Sequence, residues 1–340
     1  MANIAPAVTR VHPSYVEPKL LLPYSQASGA FELLAGGDLM VRLSEGDLYV
    51  YINRIDVRTK VLGGQSAFNE LPSCDIMLSQ LQTPTYLMRC RAEYDHHDTA
   101  GMARYGVSIV DAQRLAMRQA HNQFARVALL SGINPSYGEG LLNTNGATLV
   151  SLPPDSNGNQ TVETYDAGQM SFFLAGQIQQ LKTRTNQLGL PQRIVMVGPQ
   201  RVLGTFSYQD IVQLVQFQEP GAGTTSTLGV IKRILEMNED AFVIGYDDTL
   251  IGAGSGGADA VIIAMPEVKK PAGSPINTNI FASLEPGLEG CIMQYSDMAA
   301  PREIPVPLPE GAIDVTSEWR ITSGIGWRPE SLTIVSMAYN

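Results

Sequence analysis

The chain has 340 residues, 44% of them hydrophobic and only 16% charged, with a formal net charge of −10. The length supports one large or two medium domains with a real core. The acidic balance argues against a general nucleic-acid binder with a broad cationic face. Charge this sparse, against about 25% in average usage, suggests an exterior that is largely covered by something else.

The opening, MANIAPAVTRVHPSYVEP, lacks the apolar core of a secretory leader. No uninterrupted apolar run approaches the roughly 18 residues of a membrane span, so no membrane association is expected. Cys74, Cys90 and Cys291 are far apart and odd in number. They read as reduced thiols of a cytoplasmic protein rather than as a disulfide framework or zinc knuckle.

Residues 1 to about 30 carry Pro6, Pro13, Pro18 and Pro23. That spacing blocks a helix and predicts an extended arm, folded over its own domain or, as the better fit, laid on neighbouring subunits. Residues 47 to 62, DLYVYINRIDVRTKVL, alternate. Tyr49, Tyr51, Ile55, Val57 and Val61 share one face of a strand; Arg54, Asp56, Arg58 and Lys60 share the other. Residues 86 to 94 alternate as cleanly, with Tyr86, Met88, Cys90, Ala92 and Tyr94 opposed to Arg89, Arg91 and Glu93. Two such strands joined across Gly63, Gly64, Pro72 and Pro84 predict a long two-stranded loop. A lone hairpin is marginal in water, so this one needs a partner surface, and its charged faces are expected to meet adjacent subunits.

The stretch YDHHD follows at once and holds half of the chain's four histidines. On a continued strand Asp95 and His97 would share one face, and His96 and Asp98 the other. Either face then offers too few ligands for a catalytic metal, which usually takes three from the protein. The stretch reads as a polar joint, with a metal or acid–base site as the lesser alternative.

Residues 108 to 131 predict a long helix with an apolar stripe of Val110, Met117, Ala120, Phe124, Val127 and Ala128. It is stopped at GINP, with Arg114, Arg118 and Arg126 on its polar side. Solvation or salt bridging is the ordinary reading of those arginines. Contact with a neighbour or an enclosed polyanion is the other. From 165 to 265, near-continuous apolar strands (RIVMV, AFVIGY, AVIIAMP) alternate with helices, which predicts a sheet buried on both faces. IFASLEP and CIMQYS add strands, and the tail from Val315 reads as two more about a turn.

Catalytic motifs are sparse. Gly252, Gly254 and Gly257 match the dinucleotide-binding spacing. A strand-like stretch follows them where a helix is required, and Asn277 stands where an acid is wanted. A flexible hairpin between two strands fits better. P-loop, nucleophile-elbow and zincin motifs are absent from the sequence. Asp247 and Asp248 read as a strand end in a turn.

The order of parts resembles the major capsid proteins of tailed bacteriophages and the related encapsulins, the Hong Kong 97-type fold. That order is a proline-rich arm, a long two-stranded loop, an uninterrupted helix, an α/β domain and a returning strand pair. Arg126 to Gly132 running into Gly140-Leu-Leu-Asn143 resembles that family's spine helix and turn. VMVGPQRVLGTF with TLGVIKRILE resembles its axial domain, and GIGWRPESLTIV its closing strands. The resemblance implies an α+β chain with an arm over 1–45, an extended loop over 46–95 and a peripheral domain over 96–150. A mainly axial domain over 151–311 follows, and strands over 312–340 complete both domains. It implies hexamers and pentamers of the chain tiling an icosahedral shell around packaged double-stranded DNA, held without sequence-specific binding. Scaffold, portal and decoration proteins would be further partners, in a virion assembled in a bacterial host's cytoplasm. No cofactor, metal or catalysis is expected. The residues expected at subunit contacts are Arg54, Asp56, Arg58, Lys60, Arg89, Arg91 and Glu93. The alternatives are an encapsulin-like cargo compartment and, from another class, an α/β enzyme using Asp95, His96, His97 and Asp98.

Overall fold

A computed structural model of the chain describes residues 33–34, 39–58, 75–103, 108–185, 191–208, 210–211, 225–237, 239–267, 293–298, 301–309, 311–326 and 328–339. The proline-rich segment, the connection from 59 to 74 and the expected strand IFASLEP lie outside them. In chain order the elements are β1 (Leu39–Leu43), β2 (Tyr49–Arg58), β3 (Asp75–Tyr94), α1 (His96–Ala103), α2 (Ile109–Leu130), β4 (Thr148–Ser151) and α3 (Ala167–Arg184). Next come β5 (Arg193–Gly198), α4 (Gln200–Tyr208), β6 (Asp210–Ile211), β7 (Thr225–Ser226), α5 (Thr227–Glu236), β8 (Ala241–Tyr246) and β9 (Asp259–Ala264). The last are β10 (Met293–Met298), β11 (Arg302–Pro307), β12 (Ile313–Thr322), β13 (Ile325–Gly326) and β14 (Leu332–Met337).

Two large sheets organise these strands. One runs β1-β10-β12-β3-β2, with β11 on β12 and β13 on β10; the other runs β4-β14-β9-β5-β8. β3 is 20 residues long, much longer than the strand expected over 86 to 94. Residues 75–84 pair antiparallel with β2, from Arg58↔Asp75 to Tyr49↔Pro84. Residues 85–94 pair antiparallel with β12, from Thr322↔Thr85 to Ile313↔Tyr94. The strand therefore changes partner without breaking. Pro84, expected in the connection, lies inside the strand at this changeover, where a residue without an N–H is tolerated.

The inner strands β14, β9 and β5 of the five-stranded sheet are buried on both faces, as their apolar runs predict, whereas the edge strands β4 and β8, the latter expected to be buried as well, are partly exposed. Along β9, Ala260, Ile262 and Ala264 pack with Val195, Val197, Ala125, Leu129 and Trp319. Val261 and Ile263 point the other way and pack with Met170, Leu174, Phe206 and Ile231 from α3, α4 and α5. The expected hairpin around Gly252–Gly257 is a crossover instead. β8 is parallel to β5 and β9 is antiparallel to β5, so β5 lies between the two strands the loop joins. The loop folds onto its own chain: Asp259 accepts the Gly252 N–H at 2.9 Å and a two-pronged bond from Arg201 at 2.6 and 2.7 Å.

Helix α2 starts at Ser108, whose hydroxyl accepts the Asp111 N–H, an N-cap with an acid in the first turn. Its buried stripe is Met117, His121, Ala125, Ala128, Leu129 and Leu130. The expected stripe was turned slightly too far: Ala120 is exposed, as is Val127. The reason is His121, a polar residue that the apolar pattern passed over. Gly132 follows the helix at φ 76°, and a Cβ there would lie 2.3 Å from the Glu139 carbonyl oxygen. Gly324 presses equally close on Leu129, while its N–H donates to Ala128 O and its carbonyl accepts the Gly140 N–H. Asn143 closes the knot by donating to Ser131 O and Glu139 O, both at 2.9 Å.

His121 Nε2 shares a hydrogen bond of 3.1 Å with Ser317 Oγ, and its ring stands edge-on to Trp319 at 5.4 Å. Burial lowers its pKa from the ordinary 6.5. Above that value the imidazole is neutral in both folded and unfolded chains. Below it the unfolded chain takes up a proton that the folded chain resists, so stability falls with acidification until the folded value is passed. Urea unfolding of soluble subunits between pH 7 and 5 should show this loss. His121→Gln, which can still bond Ser317, should flatten that part of the profile; an unchanged pH dependence would contradict the assignment.

Candidate assembly interface

The β2–β3 ribbon extends one edge of the seven-stranded sheet, and among its described residues the buried side chains lie near its base. Val50 and Thr83, opposite each other in register, are buried, with Val50 against Leu43 and Ile325. Among the described residues of the ribbon, exposed side chains stand on both faces. Tyr49 and Tyr51 are 48% and 58% exposed with ring centroids 6.3 Å apart. Met77, which register places on the opposite face across from Asp56, is 51% exposed, and Leu48 at the root is 63% exposed. Large apolar side chains on both faces of a two-stranded ribbon are what an unfilled contact surface looks like.

The base of the ribbon is fixed by polar groups that the sequence reading missed. Arg320, on β12 and only 8% exposed, donates to Asp47 O at 2.8 Å and to Thr85 Oγ1 at 2.9 Å. Thr85 Oγ1 itself donates to Asp47 O, and the Thr85 N–H donates to Leu48 O at 3.0 Å. Asp47 accepts the Ser44 N–H at 2.7 Å. The Ser44 backbone and hydroxyl, with Arg320 nearby, hold its carboxyl below the ordinary carboxylate range. Arg302 pairs with Glu45 on the same turn. No motif announces this knot, because Arg320 is an ordinary strand arginine until β12 is laid beside β3.

Of the residues expected at subunit contacts, the side chains of Arg54, Asp56 and Arg58 and the whole of Lys60 lie outside the described residues. Arg89 and Arg91 are exposed on β3 and already hold carboxylates of their own chain, Glu318 and Asp314, each at 2.8 Å across the β3–β12 pairing. Glu93 is exposed beside Arg91 at 3.4 Å. The structure thus gathers Arg89, Arg91 and Glu93 into one charged row with two acids from β12. On α2, Arg114 pairs with Glu303 at 3.0 Å and Arg126 approaches the buried Asp247 at 3.7 Å, the salt-bridged reading of those arginines.

YDHHD does not continue the strand. β3 ends at Tyr94 and α1 begins at His96. Asp95 occupies the position before the helix, with its N–H on Asp98 Oδ2 at 3.4 Å and its carbonyl accepting the Thr99 N–H at 3.0 Å. An acid followed three residues later by a second acid is a helix-start signal, and it outcompeted the strand alternation. The expectation that Asp95, His96 and His97 would be split between two faces is therefore overturned: one ligand atom from each lies within 4.8 Å of the others. Near the changeover in β3, Glu139 is buried and accepts from Tyr86 at 2.7 Å, Ser323 at 2.8 Å and the Asn134 N–H at 3.0 Å. Burial, and then that carboxylate, push the Tyr86 phenol up. These three neutral donors hold Glu139 in place as a structural joint.

Arg320→Met keeps an unbranched apolar stem and removes the donors. It should lower subunit stability by about 1–3 kcal/mol, the loss of a charged group's hydrogen bonds at a part-buried site, measured by urea unfolding. Arg302→Gln, at an exposed pair, should change stability far less; equal losses would contradict the role given to Arg320.

No protein-family model matches the chain, and no curated protein matches its sequence. Solved structures do. The chain is similar to one titled as the capsid of Myoviridae phage XM1, with a TM-score of 0.63 and 11% identity over 95% of this chain and 96% of that one. The capsid of an empty GTA particle matches with a TM-score of 0.58 and 10% identity, over 96% and 95%. The capsid of cyanophage P-SCSP1u matches with a TM-score of 0.56 and 10% identity, over 96% and 93%. At such identities it is the fold that is shared, and it is shared almost end to end: the chain has the α+β architecture of tailed-phage capsid chains, the Hong Kong 97-type fold.

Proposed function

We propose that the chain is a major capsid protein, whose copies form hexamers and pentamers and close an icosahedral shell around packaged double-stranded DNA in a tailed-phage virion. The observation that carries this reading is the whole-length match in fold to capsid chains. The β2–β3 ribbon supports it independently, because its exposed tyrosines and methionine need a surface that the described residues do not supply. The role is structural rather than enzymatic. DNA is enclosed without sequence-specific contacts, which suits a net charge of −10. Assembly takes place in the bacterial host's cytoplasm, with scaffold, portal and decoration proteins as possible further partners.

In this reading residues 1–45 serve as an arm, 46–95 as the extended loop, 96–150 as the peripheral domain and 151–311 mainly as the axial domain, with 312–340 completing both. Arg54, Asp56, Arg58, Lys60, Arg89, Arg91 and Glu93 lie where neighbours meet. Exposed ion pairs are individually weak, but each repeats at every equivalent contact of a shell. Arg89 and Arg91 would contribute through the mixed-charge row they form with Glu318 and Asp314, not as free cations.

The register allows a clean test. Asp56 and Met77 are opposite each other, so replacing residues 57 to 76 by an Asn-Gly turn shortens the ribbon while keeping its base. The variant should yield folded subunits or capsomers but no normal closed particles by electron microscopy, where the parent chain gives shells. Normal shells from the shortened chain would refute the contact role of the ribbon. Absence of particles from the parent in a phage-competent host would refute the capsid reading.

A further inference from the structure

The turn from β3 into α1 places two imidazoles and a carboxylate together. His96 Nδ1 is 2.6 Å from Asp95 Oδ1, and the rings of His96 and His97 lie 3.9 Å apart at a tilt of 40°. Donor atoms from Asp95, His96 and His97 are all within 4.8 Å of one another, and both histidines are exposed. The helix start uses Asp95 and Asp98; it does not require two adjacent, solvent-facing histidines. Two nitrogens and one carboxylate oxygen form a donor set suited to zinc and to other late divalent transition ions. Tetrahedral zinc, with bonds of about 2.0–2.2 Å, needs donors about 3.4 Å apart. The exposed side chains can close that gap by rotamer changes, with no movement of β3. The turn also has a wall: a Cβ added at Gly311, in the loop between β11 and β12, would lie 3.6 Å from His96 Nδ1.

We propose that Asp95, His96 and His97 form a surface site for one divalent transition-metal ion, with its remaining coordination open to water or a further donor. Such an ion would fasten the first turn of α1 to the end of the long strand. It would stiffen the joint where β3 passes into α1, at the end of the strand away from the ribbon. The proposal is independent of whether the chain forms shells.

The full chain, purified without a histidine tag, would be titrated with Zn2+ against a chromogenic chelator, and separately with Co2+ followed by visible absorption. About one ion per chain is expected, with micromolar affinity for Zn2+ and cobalt bands of nitrogen–oxygen coordination. His96→Ala/His97→Ala should weaken Zn2+ binding at least tenfold while the circular dichroism spectrum stays that of the parent. Should the alanine pair fail to fold, His96→Gln/His97→Gln takes its place with the same expected loss. Fewer than half an ion per parent chain, or a loss smaller than tenfold in the folded double variant, overturns the site.

Discussion

One continuous strand holds this architecture together. β3 spends residues 75–84 on β2 and 85–94 on β12, so the exposed ribbon and the core of the seven-stranded sheet are the same piece of backbone. A hinge between them would have to break that ladder. The molecule instead locks the changeover, with Arg320 reaching from β12 to Asp47 and Thr85 on either side of it. An uncovered ribbon carried on a rigid root is a lever with a set direction. Direction matters for a part whose described apolar residues, Tyr49, Tyr51 and Met77, stand exposed.

The rest of the fold supports that lever. Spine helix α2 lies between the two sheets and contributes to the core of both, through Ala125 and Leu129 on the five-stranded side and His121 against Ser317 and Trp319 on the other. Its C-terminal end is gripped by two glycine-tight turns around Gly132 and Gly324. Glu139 ties the same region to β3 through Tyr86. The tail then passes from β12 in one sheet to β14 in the other, so the two sheets are bound by covalent chain as well as by packing.

Legibility in the sequence followed burial. Where one face of a strand or helix is buried and the other wet, the pattern is strict: residues 86 to 94 and helix α2 could be read directly, and so could the doubly buried strands of the five-stranded sheet. The outer half of β3 could not. In DIMLSQLQTP the apolar residues Ile76, Met77 and Leu78 run together. A ribbon with exposed apolar side chains on both faces, Tyr51 on one and Met77 on the other, has little to impose alternation. The loop at Gly252–Gly257 announced a turn but not that β5 would be inserted between its flanking strands, since strand order is a tertiary fact. At Asp95–Asp98 two local signals competed, and the helix cap prevailed over the strand. The charged row was half visible: Arg89 and Arg91 were found, but their partners Glu318 and Asp314 lie more than 200 positions away and become neighbours only through the β3–β12 register.

The central claim is that the ribbon is completed by a neighbouring copy while the rest of β3 is complete within the chain. Amide hydrogen exchange on unassembled subunits and on purified shells tests this most directly. The account predicts slow exchange over residues 85–94 in both states, and over 49–58 and 75–84 fast exchange in subunits that becomes slow in shells. Equal protection of the ribbon before and after assembly would contradict it.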